Sequence, residues 1–172
     1  MLWLRPRIAH APHNPAYTPA MLSFNIMNDW FTTPADDGNG HTIIVTGRLD
    51  VDKFRSRERN NIRVEVTMPY TPAGPLGFPD EATSELLDRA TEAMQAELKG
   101  KTTAIMTGIY TGAGERNWVF YTFSTDAFGG FLNRALAELP LLPLQIYAEN
   151  DPDWAEYDEM LAECAPADGA LD

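Results

Sequence analysis

The sequence predicts an α+β fold: a ferredoxin-like βαββαβ sandwich, an antiparallel sheet with helices on one face, extended by an N-terminal β-hairpin and a C-terminal helix. Three observations predict it. Ile62-Arg63-Val64-Glu65-Val66-Thr67-Met68 alternates apolar and polar residues without a fault, the period of a half-buried strand. Leu87, Ala90, Met94 and Leu98 recur at helical spacing, and so do Phe128, Leu132, Ala135 and Leu139. Three further apolar runs, 102–110, 117–123 and 141–147, complete the order strand, helix, strand, strand, helix, strand from residue 62 onward.

Each element has a local reason. Residues 1–20, MLWLRPRIAHAPHNPAYTPA, hold four prolines and no periodicity, so they are expected to be a disordered arm, and Met21 is an alternative start of translation. The runs 22–31 and 42–49 are rich in aromatic and β-branched residues and flank Asp37-Gly38-Asn39-Gly40, a turn sequence; they are expected to pair as a hairpin. After the charged link 50–60 and strand 62–68, Arg63, Glu65 and Thr67 are expected to face solvent. The loop YTPAGPLGFP leads to Asp80, which opens a helix over 80–99 that Gly100 ends.

Strands 102–110 and 117–123 are joined by Thr111-Gly112-Ala113-Gly114-Glu115-Arg116, whose glycines suit a hairpin turn better than a phosphate cradle, because they connect two strands and precede no helix. Ser124-Thr125-Asp126 caps the next helix, which Pro140 stops. The last strand, 141–147, contains Pro143, so it is expected at a sheet edge or to begin after the proline. Asp151-Pro152 is expected to place a cap and a first-turn proline ahead of a helix whose inner stripe is Trp154, Tyr157, Leu161 and Cys164. The organisation expected is a single domain over 21–165 with a short disordered acidic tail, 166–172.

Charge narrows the function classes. The chain has 13 basic and 25 acidic residues, a formal charge of -12, which disfavours a nucleic-acid backbone as partner. Residues 149–172 contain nine acids and no Lys or Arg, whereas Arg48, Lys53, Arg55, Arg57, Arg59 and Arg63 crowd a short stretch. No apolar run approaches the ~18 residues of a membrane span. The single cysteine, Cys164, excludes an internal disulfide and any cysteine-based zinc site, and cytoplasm is the expected compartment.

Catalytic chemistry finds few candidates. A nucleophile needs a base in hydrogen-bond reach, and the histidines are His10 and His13 in the arm and His41 at a turn. Cys164 lies on an apolar helical stripe with no nearby cation in sequence. The expectation is therefore no catalytic group, metal or cofactor, and a function through protein contact. The acidic helix, with Glu156, Asp158, Glu159 and Glu163, would dock on a basic protein, and the aromatic hairpin strand, with Trp118, Tyr121 and their neighbours, is a second candidate surface. Trp118 and Phe120 share one face of that strand and Tyr121 and Phe123 the other, which the last helix and N-terminal strands would cover unless it forms an open platform. A different class of function is a small-ligand or hydrolytic site lined by Arg116, Tyr121, Asp151 and Trp154, with Arg116 holding an anion and Tyr121 orienting it.

Glu115-Arg116-x-Trp118-x-x-Tyr121, followed by a helix and then by Asn150-Asp151-Pro152-Asp153-Trp154-x-x-Tyr157, resembles the bacterial domain of unknown function 695 family, whose members end with a D-P-x-W-x-x-Y helix after a final strand. The resemblance covers residues 22–164 and implies an α+β fold without an assigned activity. In strand and helix order the chain is also similar to the regulator of ribonuclease activity B, an acidic inhibitor that binds an RNA-degrading enzyme.

Overall fold

Six strands pair edge to edge into one antiparallel sheet whose two central strands are buried nearly throughout. In the computed structural model, which describes residues 29–166, the strands are β1 (Trp30–Asp36), β2 (Thr42–Arg48), β3 (Ile62–Pro69), β4 (Ala104–Gly112), β5 (Glu115–Thr122) and β6 (Gln145–Asn150). Their order across the sheet is β1-β2-β4-β5-β3-β6. The helices are α1 (Asp52–Arg55), α2 (Glu81–Leu98), α3 (Thr125–Ala135) and α4 (Ala155–Cys164). The crossovers β3-α2-β4 and β5-α3-β6 interleave, since each spans the strand that begins or ends the other.

Helices α2 and α3 share one face of the sheet. Val64, Val66 and Met68 of β3 and Trp118 and Phe120 of β5 meet Leu87, Ala90 and Met94 of α2 and Phe128, Phe131 and Leu132 of α3. Phe120 lies edge-on to Phe128 and Phe131, with centroids 5.0 and 5.8 Å away. Each large apolar side chain withdrawn from water here contributes roughly 1.5–3 kcal/mol. Asp80 caps α2 by accepting from the Thr83 N–H (2.8 Å), and Ser124 caps α3 by accepting from Ala127 (3.2 Å). A bulge between Met106 and Gly108 keeps Met106 and Ile109 on the helix-covered face although they are an odd number of residues apart.

The opposite face is covered over β2, β4 and β5 by α4. Phe31, Ala35, Ile43, Val45, Ile105, Tyr110, Val119 and Tyr121 pack there with Val51 and with Trp154, Tyr157, Met160 and Cys164. Gly47 makes this approach possible: a Cβ at that position would collide with the Phe31 ring and stand 2.8 Å from Met160 Sδ.

Several expected boundaries move. The first strand is expected at 22–31 but runs from Trp30 to Asp36, and residues 22–28 lie outside the described residues, as do the arm 1–20 and the tail from 167. The turn that follows is 37–41, with positive φ at Gly38 and Gly40. The link 50–60 contains the short helix α1. The hairpin loop tightens to Ala113-Gly114, both at positive φ, so β4 extends to Gly112. Helix α3 ends at Ala135 rather than running to Leu139. The last strand begins after Pro143, at Gln145, and forms a sheet edge. Pro152 is in a turn ahead of α4 rather than in its first turn.

Candidate functional site

The residues of the D-P-x-W-x-x-Y segment are spent on fastening α4 to the sheet. Asp151, at the end of β6, accepts three hydrogen bonds: from the Tyr121 hydroxyl (2.7 Å), from the Ala155 N–H (2.9 Å) and from the Glu156 N–H (3.1 Å). Its carboxylate thus caps α4 from four and five residues upstream, which complements the positive end of the helix dipole. The chain can reverse that sharply because Trp154 adopts the left-handed conformation (φ 55°), an uncommon state for a bulky residue that costs of order 1–3 kcal/mol. Packing offsets this. The Trp154 indole stacks on Tyr121, with centroids 3.9 Å apart and planes at 13°, and its Nε1–H donates to the Asn60 carbonyl (2.9 Å). One turn on, the Tyr157 hydroxyl donates to the Arg48 carbonyl (2.6 Å).

Burial sets the proton affinities of this cluster. The Tyr157 phenol is pushed up to about 12, mainly by burial, and burial followed by the Asp151 hydrogen bond raises Tyr121 well beyond the usual tyrosine range. Burial, with Glu163 adding, takes the Cys164 thiol up to about 11, so the neutral thiol rather than the nucleophilic thiolate is favoured.

Arg116 is elsewhere. It is 2% exposed on the face covered by α2, where its Nε–H donates to Thr111 Oγ1 (2.8 Å) and its Nη1–H to Asp88 Oδ1 (2.9 Å). Thr91 Oγ1 lies 3.5 Å from Nη1 and accepts from Trp118 Nε1–H (2.8 Å). Burial draws the Arg116 pKa down and Asp88 opposes that shift. The anion-binding quartet of Arg116, Tyr121, Asp151 and Trp154 is consequently divided: the last three share one face of the sheet and Arg116 belongs to the other. The open aromatic platform is also corrected, since Trp118 and Tyr121 are both buried, and of that strand's aromatic residues only Phe123, beneath Arg59 at 4.9 Å, is exposed.

The remaining candidates point outward from α4. Glu156 and Glu163 are half-buried and Asp158 and Glu159 are exposed. Arg55 of α1 grips the Asp158 carboxylate with both Nη atoms (2.7 and 2.8 Å), donates to the Asp153 carbonyl (2.8 Å), and lies 5.7 Å from the Trp154 ring centroid. The Asp158 carboxyl is held below its ordinary pKa by that pair. Asp153, Glu156 and Glu159 make no ion pair through their carboxylates among the described residues.

Three contributors were not singled out from the sequence. Arg63, expected to face solvent, is 4% exposed and lies 3.3 Å from both Glu65 and Glu149. Asn60 is buried, donating through Nδ2 to the Phe54 carbonyl (3.0 Å) while its Oδ1 has no protein partner among the described residues. Arg55 completes the set. A basic run opposite an acidic helix was the only signal for Arg55 and Arg63; for Asn60 there was none.

His41 is at the β1–β2 turn, its ring Nδ1 2.8 Å from Asp37 Oδ2, away from α4. His10 and His13 lie outside the described residues. Among the described residues no group of three or more His, Cys, Asp or Glu is placed to hold a metal ion, and no helix is long and apolar enough to cross a membrane. Compared with known proteins, the chain matches the model of a family of unknown function, DUF695, over residues 29–162, a span that includes the sheet and nearly all of α4. No curated protein and no solved structure matches it.

Proposed function

We propose that this chain, which belongs to the family of unknown function DUF695, acts by binding another protein of basic character through the outer surface of α4 rather than by covalent chemistry. One observation carries the reading: the inner side of α4 is committed to the sheet through Tyr121, Asp151, Trp154 and Tyr157, while Glu156 and Glu159 on its outer side, and Asp153 in the turn before it, make no ion pair through their carboxylates among the described residues. Unpaired acids on one surface repel each other, and a cationic partner relieves that repulsion while being steered in from a distance. Asp158, already paired with Arg55, contributes to the shape of the surface more than to its field.

Site-specific photocrosslinking in the native cell tests this. A photoreactive residue at Glu159 is expected to give a discrete product with a basic protein, lost when Asp153, Glu156 and the crosslinking site's neighbours are made neutral. The same residue at Glu85, on the exposed side of α2, is expected to give none. Equal products from both positions, or an acidic protein captured at Glu159, would overturn the reading.

A further inference from the structure

Strand β6 ends the sheet, and one hydrogen bond fixes which of its backbone groups face outward. The Asp151 N–H donates to the Asn61 carbonyl at 2.7 Å, in register with the pairs Ile62↔Asn150 and Arg63↔Glu149. In an antiparallel ladder, hydrogen-bonded pairs alternate with non-bonded ones. Glu149, Tyr147 and Gln145 are therefore bonded to β3, and Ile146, Ala148 and Asn150 turn their N–H and C=O groups away from the sheet. No strand among the described residues covers them.

Edges of this kind are ordinarily blunted by proline, lysine, a bulge or a covering element. The opposite edge, β1, has Pro34 in its middle. The sequence of β6, Gln145-Ile146-Tyr147-Ala148-Glu149-Asn150, has none of these devices, and it exposes two large side chains on opposite faces, Ile146 at 56% and Tyr147 at 45%. Acids outnumber cations on the Tyr147 side: the Tyr147 hydroxyl donates to Glu149 (3.1 Å), Glu156 of α4 lies near enough to act on it electrostatically, and Arg63, buried 3.3 Å from Glu149, is the cation set among them. The edge thus borders the acidic surface of α4.

We infer that β6 receives an extended segment of the partner as a seventh strand, a segment alternating Lys or Arg with aliphatic residues. This deepens the reading above and rests on the partner being basic. Main-chain bonds to Ile146, Ala148 and Asn150 would hold the segment. Its cationic side chains would lie on the Tyr147 side beside Glu149 and Glu156, and its aliphatic ones against Ile146 and Ala148. A second copy of the chain fits worse, since pairing two β6 edges brings together two molecules of formal charge -12.

The test is amide exchange by nuclear magnetic resonance on the full chain, titrated with a capped ten-residue peptide alternating Lys and Val. Two controls accompany it, an alternating Glu-Val peptide and the Lys-Val peptide N-methylated at every Val. At saturation the Lys-Val peptide is expected to slow exchange of the Ile146, Ala148 and Asn150 amides at least tenfold, and neither control is expected to do so. Ala148→Pro removes an outward N–H without touching the β3 ladder, so it is expected to weaken binding tenfold or more while the melting temperature stays close to that of the parent chain. The N-methylated peptide serves the same purpose if that variant does not fold. Binding that shifts only α4 resonances would overturn strand addition and leave the basic-partner reading in place. Equal binding of the Glu-Val peptide, or no binding by any peptide, would overturn both. Protection of these amides that rises with protein concentration alone would assign the edge to a second copy and overturn the inference.

Discussion

Tyr121 and Trp154 stack face to face, 3.9 Å between centroids, and a single carboxylate, Asp151, holds both the Tyr121 hydroxyl and the start of the helix that follows Trp154. The strand and the helix are thereby fixed to each other by one aromatic contact and one buried acceptor. This relationship makes the most conspicuous sequence motif of the chain a structural fastening.

Trp154→Ala removes the stack and the bond to the Asn60 carbonyl from a nearly fully buried site. It is expected to destabilise the domain by roughly 3–5 kcal/mol in urea denaturation. Near-native stability would show that the indole contributes little to packing and return it to the list of binding residues.

Asp151→Ala leaves a buried hydroxyl and two helix N–H groups without their acceptor, so its cost should exceed that of an ordinary cap, reaching roughly 2–4 kcal/mol. A double-mutant cycle with Tyr121→Phe isolates the hydroxyl–carboxylate bond, for which a coupling of about 1–2 kcal/mol is expected. Additive effects would contradict the shared-acceptor geometry.

Legibility from sequence followed burial. Strand β3 and helix α2 each have one dry face, so their periods were plain. Strand β6 was displaced by several residues because the apolar run Leu141 to Leu144 is a loop that lays Leu142 and Leu144 on the core, whereas the edge strand after it is wet on both faces and has no alternation to read. The sequence reading groups Arg116 and Tyr121 although they stand five positions apart on one strand; the pleat sends residues an odd number of positions apart to opposite faces, and parity alone divides them. Arg63 obeyed its parity, but its face of the sheet is dry enough there to bury it with Glu65 and Glu149. The left-handed Trp154 had no signal, since it is imposed by tertiary packing on a residue that disfavours it.

Alkaline stability follows from the buried phenols. Tyr157 and Tyr70 are both pushed up to about 12, chiefly by burial, against about 10 in the unfolded chain. The folded state keeps protons that the unfolded state releases, so this contribution is complete below about pH 10 and is lost as pH rises toward 12. Cys164, raised to about 11, adds a loss that begins where the unfolded thiol ionises, so the urea midpoint is expected to start falling near pH 9 and to fall more steeply beyond pH 10. A midpoint that rises there would reverse the sign.

Cys164 should be inert while the domain is folded, because its thiol is buried and its pKa raised to about 11. Labelling by a disulfide-exchange reagent at pH 8 is expected to track global unfolding in urea. Labelling within seconds in native buffer would mean that the end of α4 opens locally.

The most direct measurement joins stability to binding in one variant, Asp153→Asn with Glu156→Gln and the photoreactive residue in place of Glu159. If these acids form a recognition surface, the melting temperature stays the same or rises as their mutual repulsion is relieved, and the basic crosslinked product at the α4 surface disappears. If they are instead screened internally by the arginines of residues 48–63, the melting temperature drops clearly and the product persists. That second outcome would contradict the interaction surface.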